Sequence, residues 1–201
     1  MKLYYSTTSP YSRKARLAVL FKQLEDQVTQ IACNPFADAP DESHHNPLGK
    51  VPTLILNDGI TIFDSPVICE YLDGISQQTT LYPRDRPEWI RVKTTEALGD
   101  GILDAAYNIV MERRRIEKEQ STTAIDQWKT EIDRSLKRAE NIISTLNGNV
   151  NQAHISMYCT LGYLDFRLPD INWRENFPSA MPRWYDEFQE KYPFTIDTRP
   201  Q

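Results

Sequence analysis

Residues 46–72, NPLGKVPTLILNDGITIFDSPVICEYL, constrain the fold more than any other stretch of this chain. Asn46-Pro47 and Gly49 mark a loop. After Val51-Pro52, Thr53-Leu54-Ile55-Leu56 reads as a buried strand. Asn57-Asp58-Gly59 is a tight reversal, built from residues that tolerate left-handed backbone. Ile60-Thr61-Ile62-Phe63 is the returning strand. Asp64-Ser65-Pro66 then opens a helix through Ile68, Cys69, Tyr71 and Leu72. Ser65 reads as its N-cap and Pro66 as its first helical residue.

A second Ser-Pro helix start lies near the N-terminus. Lys2-Leu3-Tyr4-Tyr5 reads as a strand and Thr7-Thr8-Ser9-Pro10 as a loop, with Ser9 the N-cap of a helix whose apolar face is Ala15, Ala18, Val19 and Phe21. Helix N-termini favour anions through their free N–H groups and dipole. Two of them in one small domain point to a ligand with two anionic centres; the plainer reading makes both serines helix caps only.

The next strand is expected at residues 27–31. Residues 34–45, with Pro35, Asp38, Pro40, Asp41 and Glu42, read as loop with at most a short helix. Residues 77–86 are polar, contain Pro83 and fit a linker. Beyond it the pattern is helical throughout: 88–119, bent near Gly99 and Gly101; 122–146, where Ile125, Trp128, Ile132, Leu136, Ala139, Ile143 and Leu146 recur at helical spacing and Gly148 ends the helix; 152–167, apolar enough for the centre of a bundle; and 182–192.

Composition narrows the function classes. The 201 residues carry a net charge of −5 and are 40% hydrophobic, so there is a real core and no basic footprint for nucleic acid. The run Arg113-Arg114-Arg115 sits among Glu112, Glu117 and Glu119 and reads as a solvated helix face. With no membrane-spanning stretch and no leader after Met1, the expected location is cytoplasmic. Cys33, Cys69 and Cys159 are too scattered for a CxxC or zinc pattern, and Cys69 and Cys159 read as buried thiols. His44, His45 and His154 lack metal-ligand spacing, so no metal is expected.

Together, TSPYSRKARL, NPLGKVPTL, DSPVICEYL, LYPRD and NQAHISMYCTLGYLDFR resemble the glutathione S-transferase family, most closely its bacterial serine-type members. The resemblance runs in order over nearly the whole chain. It implies an α/β thioredoxin-like domain over 1–78, a linker over 79–86 and an all-α domain over 87–201. It also implies a cis Val51-Pro52 peptide, a glutathione site between the domains and a homodimer. The implied activity is detoxification, with the glutathione thiolate joined to small hydrophobic electrophiles. A non-catalytic glutathione-fold binding or regulatory protein, or a glutathione peroxidase or isomerase, would have a similar sequence.

Such chemistry needs an ionised thiol near neutral pH. Lowering a thiol pKa by two units requires about 2.7 kcal/mol of preferential thiolate stabilisation. Ser9 is the expected donor, since it stands where redox relatives of the fold keep the first cysteine of CxxC. Thr7, Thr8, Tyr5 or a backbone N–H are the alternatives, and Ser12 is a helper or bystander. The resemblance assigns Tyr11, Lys50, Val51, Pro52, Asp64 and Ser65 to glutathione: Asp64 and Ser65 to the γ-glutamyl end, the Val51 backbone to the cysteinyl unit, and Lys50, or less directly His45, to the glycine carboxylate. Asp100 or Asp104 is expected near the glutathione amine of a partner subunit. Tyr107, Met111 and Arg114, at helical spacing, are candidates for the electrophile pocket.

The chain departs from the family at one helix start. The central helix of the second domain usually has a Ser or Thr cap with Asp three residues on; here the positions hold Asn151 and His154. Asn is a good cap, but histidine is not expected to replace the reciprocal carboxylate of a capping box.

Overall fold

The computed structural model describes residues 1–35 and 46–201. Most of the irregular stretch expected before Asn46, with His44 and His45, lies outside the described residues. β1 (Lys2–Tyr5), α1 (Pro10–Phe21), β2 (Thr29–Ala32), β3 (Thr53–Ile55), β4 (Thr61–Ile62) and α2 (Ser65–Ile75) form the first half. The sheet order is β2-β1-β3-β4, with β1 parallel to β2 and antiparallel to β3, and β3 antiparallel to β4. Fully buried Leu3 stands at its centre, opposite Gln30 on one side and Leu54 on the other. This is the thioredoxin-like mixed sheet expected.

Both Ser-Pro signals open helices, but in different ways. Ser9 caps α1: its Oγ accepts from Ser12 N at 3.1 Å, and Pro10 is the first helical residue. In α2 the cap is Asp64, whose carboxylate accepts from Ser65 N. The expected Ser65 cap is therefore one residue late: Ser65 is already the first helical residue, and its buried Oγ makes no cap bond among the described residues. On α1, Ala15, Ala18 and Val19 are buried as expected, while half-buried Phe21 meets Phe188, Tyr192 and Phe194 from the far end of the chain.

The second half is helical: α3 (Arg86–Glu112), α4 (Thr122–Ile143), α5 (Gln152–Arg167), α6 (Trp173–Asn176) and α7 (Met181–Lys191). α3 ends at Glu112, seven residues before the expected boundary. There Gln120 folds back to donate to the carbonyls of Arg113 and Arg115, at 3.3 and 2.8 Å, and Glu112 accepts from Ser121 N. Only a short 3-10 turn, Glu117–Glu119, follows. α3 stays helical through Gly99, whose role is close approach: a Cβ there would lie 2.5 Å from Ser156 Oγ of α5. α4 stops at Ile143, then tightens through Thr145 N→Ile142 O and Leu146 N→Ile143 O before Gly148 turns the chain at φ +83°. α5 is buried from Gln152 to Leu164, which makes it the core of the bundle.

The capping box at the start of α5 is intact, contrary to expectation. Asn151 Oδ1 accepts from Ala153 N at 3.0 Å, and His154 Nδ1 lies 3.3 Å from Asn151 N and 2.9 Å from Asn151 Oδ1. The lone pair of one neutral tautomer accepts the amide; the N–H of the other donates to Oδ1. Burial, with a smaller contribution from Lys191, lowers the His154 pKa to about 4, so the ring is neutral near pH 7. A neutral imidazole nitrogen has the acceptor that the sequence reading allowed only to a carboxylate.

One cluster straps the linker to the sheet domain, and a buried arginine joins the two halves. Lys22 Nζ, at the end of α1, donates to Asp73 Oδ1, Gln78 O and Thr79 O at 2.8, 2.9 and 3.0 Å, while Asp73 also accepts from Thr80 Oγ1, Leu81 N and Tyr82 N. Arg13, buried, donates to Thr195 O and Thr198 Oγ1 and lies 4.6 Å from the Tyr158 ring. Gly162 on α5 makes room for it: a Cβ there would meet Arg13 Nη1 at 2.6 Å and Tyr185 Oη at 2.8 Å. Among the described residues, no helix is long and apolar enough to cross a membrane.

Candidate active site

A cavity of about 440 Å³ opens between the two halves. The sheet domain contributes the loop before α1, the turn around Asn46, the Val51-Pro52 segment and the start of α2. The helical domain contributes one stripe of α3 and the end of α5. Ser9, Tyr11, Lys50, Val51, Pro52, Asp64, Tyr107, Met111 and Arg114 all line it. Residues of the sheet domain far apart in sequence share one wall because β1 and β4 run in the same direction, so α1 and α2 start from the same end of the sheet.

Ser9 is half-buried at the N-terminus of α1. Its oxygen accepts the cap bond from Ser12 N, which uses a lone pair. A hydroxyl has one proton and two lone pairs, so the O–H remains available to donate into the cavity. Capping and donation are therefore compatible. Ser12 is fully buried, and its Oγ accepts from Ser6 N at 3.3 Å, so it braces the loop from behind. Thr8 also lines the cavity and its Oγ1 is 3.2 Å from Ser6 Oγ. The Tyr5 ring instead packs against Arg16, 4.3 Å from the guanidinium.

Tyr11 reaches across to the helical domain, where its hydroxyl donates to Asp104. Burial, the Asp104 bond and nearby carboxylates raise its pKa, which keeps the phenol protonated. Behind it, fully buried Lys14 is bonded to Asp100; burial opposes its charge, but Asp100 and Glu96 outweigh burial and raise its pKa. Asp100 and Asp104 are thus both engaged within the chain, and Asp104 alone of the two lines the cavity.

The Val51-Pro52 peptide is cis, as is Phe63-Asp64. Val51 and Pro52 lead directly into β3, and Asn46 Nδ2 and Thr53 Oγ1 both hold the Lys50 carbonyl, at 2.9 and 3.0 Å. Lys50 and Asp64 are exposed on the rim. Ser65 does not line the cavity: it is fully buried, and its Oγ has no hydrogen-bond partner among the described residues. His45 lies outside the described residues.

On the helical side, Asp104, Tyr107 and Met111 form one stripe of α3, and Arg114 continues it past the helix end. The arginine run is thereby divided. Arg113 makes a two-pronged pair with Asp170 at 3.1 and 2.7 Å, and Arg115 lies near Glu112 and Glu119, but Arg114 turns toward the cavity. Sequence reasoning missed Tyr163 and Arg167, which line the same end from α5. Their i, i+4 spacing was visible, but the segment read only as core. No group of three or more His, Cys, Asp or Glu is poised to hold a metal among the described residues.

The families described as "Glutathione S-transferase, N-terminal domain" and "Glutathione S-transferase, C-terminal domain" match residues 8–75 and 122–187. The "Uncharacterized GST-like protein YibF" of Escherichia coli (strain K12) is 37% identical over 176 residues, 86% of either chain. The chain belongs to the glutathione S-transferase family. Among solved structures, a glutathione S-transferase from Methylobacillus flagellatus KT with GSH bound is 36% identical, with a TM-score of 0.92 over 100% of this chain and 99% of that one. A glutathione transferase family member from Pseudomonas fluorescens Pf-5, with bound S-(propanoic acid)-glutathione, is 34% identical, with a TM-score of 0.90 over the full length of both. As a glutathione S-transferase family member, the chain has a transferase scaffold of thioredoxin-like sheet and helical bundle, and its cavity lies where the two meet.

Proposed function

We propose that this protein binds glutathione in the interdomain cavity, ionises its thiol with the Ser9 hydroxyl, and transfers the thiolate to a small electrophile. The observation that carries this reading is the Ser9 hydroxyl itself, with its cap bond made through a lone pair and its proton left over, at a helix N-terminus in the same cavity as Asp64 and Val51-Pro52. A hydroxyl donor and a helix dipole together supply energy of the order a two-unit thiol shift requires.

Other features fit the two ends of the tripeptide. Asp64 on the rim suits the γ-glutamyl ammonium. The start of α2, where Ser65 is the first helical residue, suits its carboxylate. Lys50 suits the glycine carboxylate, and the Val51 backbone suits strand-like pairing with the cysteinyl unit. GSH bound in a relative of 36% identity and S-(propanoic acid)-glutathione bound in one of 34% support glutathione as the ligand. We place the protein in the cytoplasm, since a thiol substrate and the buried thiols Cys69 and Cys159 suit a reducing compartment.

We also read it as a two-fold dimer pairing one subunit's sheet domain with the other's helical domain. Val67 on α2 and Ile90 on α3, about half exposed, each lie one turn before the Glu70–Lys93 ion pair, so each domain presents an exposed apolar residue near that pair.

The test is retention on immobilised glutathione together with turnover of a generic aromatic chloride. Retention with turnover is the expected result. Retention without turnover would favour a binding or regulatory protein, and the absence of both would defeat the proposal.

A further inference from the structure

We infer that the second substrate carries a carboxylate, held by Arg114 and Arg167. This rests on the glutathione-transfer reading and names the substrate class of the same site.

The far end of the cavity is basic and, among the described residues, lacks counter-charge. Arg114 and Arg167 both line it, one from beyond the end of α3 and the other from the last turn of α5. Neither has an acidic partner among the described residues. Arg114 Nη1 lies 3.7 Å from Met111 Sδ, and the Arg167 guanidinium stands 4.2 Å from the Phe166 ring and hydrogen-bonds the neutral Tyr163 side chain. Their neighbours are treated differently. Asp170 is taken by Arg113 and Lys129, and Asp165 by Arg174. Nearby carboxylates are thus committed elsewhere, while two guanidiniums face the cavity.

Their position separates them from glutathione's own carboxylates. The residues suited to glutathione lie on the sheet domain, with Asp104 opposite them. From Asp104 to Met111 the stripe climbs about 10 Å at 1.5 Å per residue, and Arg114 lies further on. Tyr163, between the arginines, adds a neutral donor. Its burial raises the phenol pKa more than Arg167 and Arg114 lower it. Guanidinium forks bind carboxylates with directional, charge-assisted hydrogen bonds.

For a carboxylate-bearing alkyl halide, the sulfur–carbon bond forms as the carbon–halogen bond breaks, and the halide leaves with the bonding pair. The thiol proton has already passed to solvent. The arginines hold the carboxylate and so orient the carbon toward the sulfur.

The decisive measurement is calorimetry of S-carboxymethylglutathione against its neutral counterpart, S-carbamoylmethylglutathione. The carboxylate form is expected to bind about tenfold more tightly, as for one charge-assisted contact. That ratio is expected to shrink in Arg114→Gln and Arg167→Gln, and with added salt. Turnover of bromoacetate over bromoacetamide, each corrected for its uncatalysed rate, is expected to show the same preference.

A ratio near one, or a ratio unmoved in both variants, would overturn the inference and leave the glutathione reading standing. So would variants that weaken free glutathione as much as the carboxymethyl conjugate, since the arginines would then serve glutathione itself. Failure of glutathione and both conjugates to bind would overturn the underlying reading and this one with it.

Discussion

At the scale of single residues, the proposed function gives Ser9 two roles in one atom pair. Ser9→Ala removes the donor proposed for the thiolate and the acceptor that caps α1. The hydroxyl is expected to interact more strongly with thiolate than with thiol, so its loss falls on turnover. At about 1.5–3 kcal/mol for a charge-assisted hydrogen bond, the drop is about 10- to 150-fold, with glutathione affinity nearly unchanged. Losing the cap is expected to cost a further ~1 kcal/mol of stability. Steady-state kinetics and denaturant unfolding read the two effects separately; full activity would leave Ser9 as a cap alone. His154 gives a pH signature. Its folded pKa of about 4 lies below the unfolded 6.5, so the unfolded chain binds more protons between these values. Stability is then complete above pH 6.5 and declines as pH falls toward 4, by about 3 kcal/mol at most. Urea midpoints at pH 7 and pH 5 are expected to show the fall, and His154→Asp to flatten it by supplying a carboxylate already ionised in that window.

At the scale of elements, local chemistry was readable and distant chemistry was not. The Ser-Pro starts, the hairpin and α5 depend on neighbouring residues, and they appeared in the sequence nearly where they stand. The end of α3 depends on Gln120 folding back, and the intact capping box depends on the buried surroundings of His154; neither is a local pattern. In the candidate site, Ser9, Val51 and Asp64 were legible because their motifs are contiguous, whereas Arg167 was hidden in a helix whose other positions are core. The segment after α2 shows the same divide. It reads as a polar linker, yet Lys22 and Asp73, 51 residues apart, strap it down. Burial pushes the Asp73 carboxyl up, but Lys22 and donors from Leu81, Thr80 and Tyr82 outweigh it and leave its pKa below the ordinary value. Asp73→Ala leaves Lys22 buried without its counter-charge and is expected to cost about 3–5 kcal/mol. Limited proteolysis of the variant is expected to cut within residues 76–82, where the native chain resists; equal resistance would show the strap to be dispensable.

At the scale of the whole molecule, the dimer reading turns on Val67 and Ile90. Light scattering is expected to give twice the 23.4 kDa chain mass, and Val67→Glu with Ile90→Glu is expected to shift it toward the monomer. A monomer mass at every concentration would refute the reading. The Arg13 contact speaks to ancestry. One arginine of the sheet domain occupies the space left by Gly162, beside Tyr185, and ties into Thr195 and Thr198 near the other terminus. A recombination event joining this sheet domain to a foreign helical half would meet a side chain where the guanidinium must go. The two halves therefore travel as a matched set, and any natural or laboratory shuffling has to exchange lock and key in the same step.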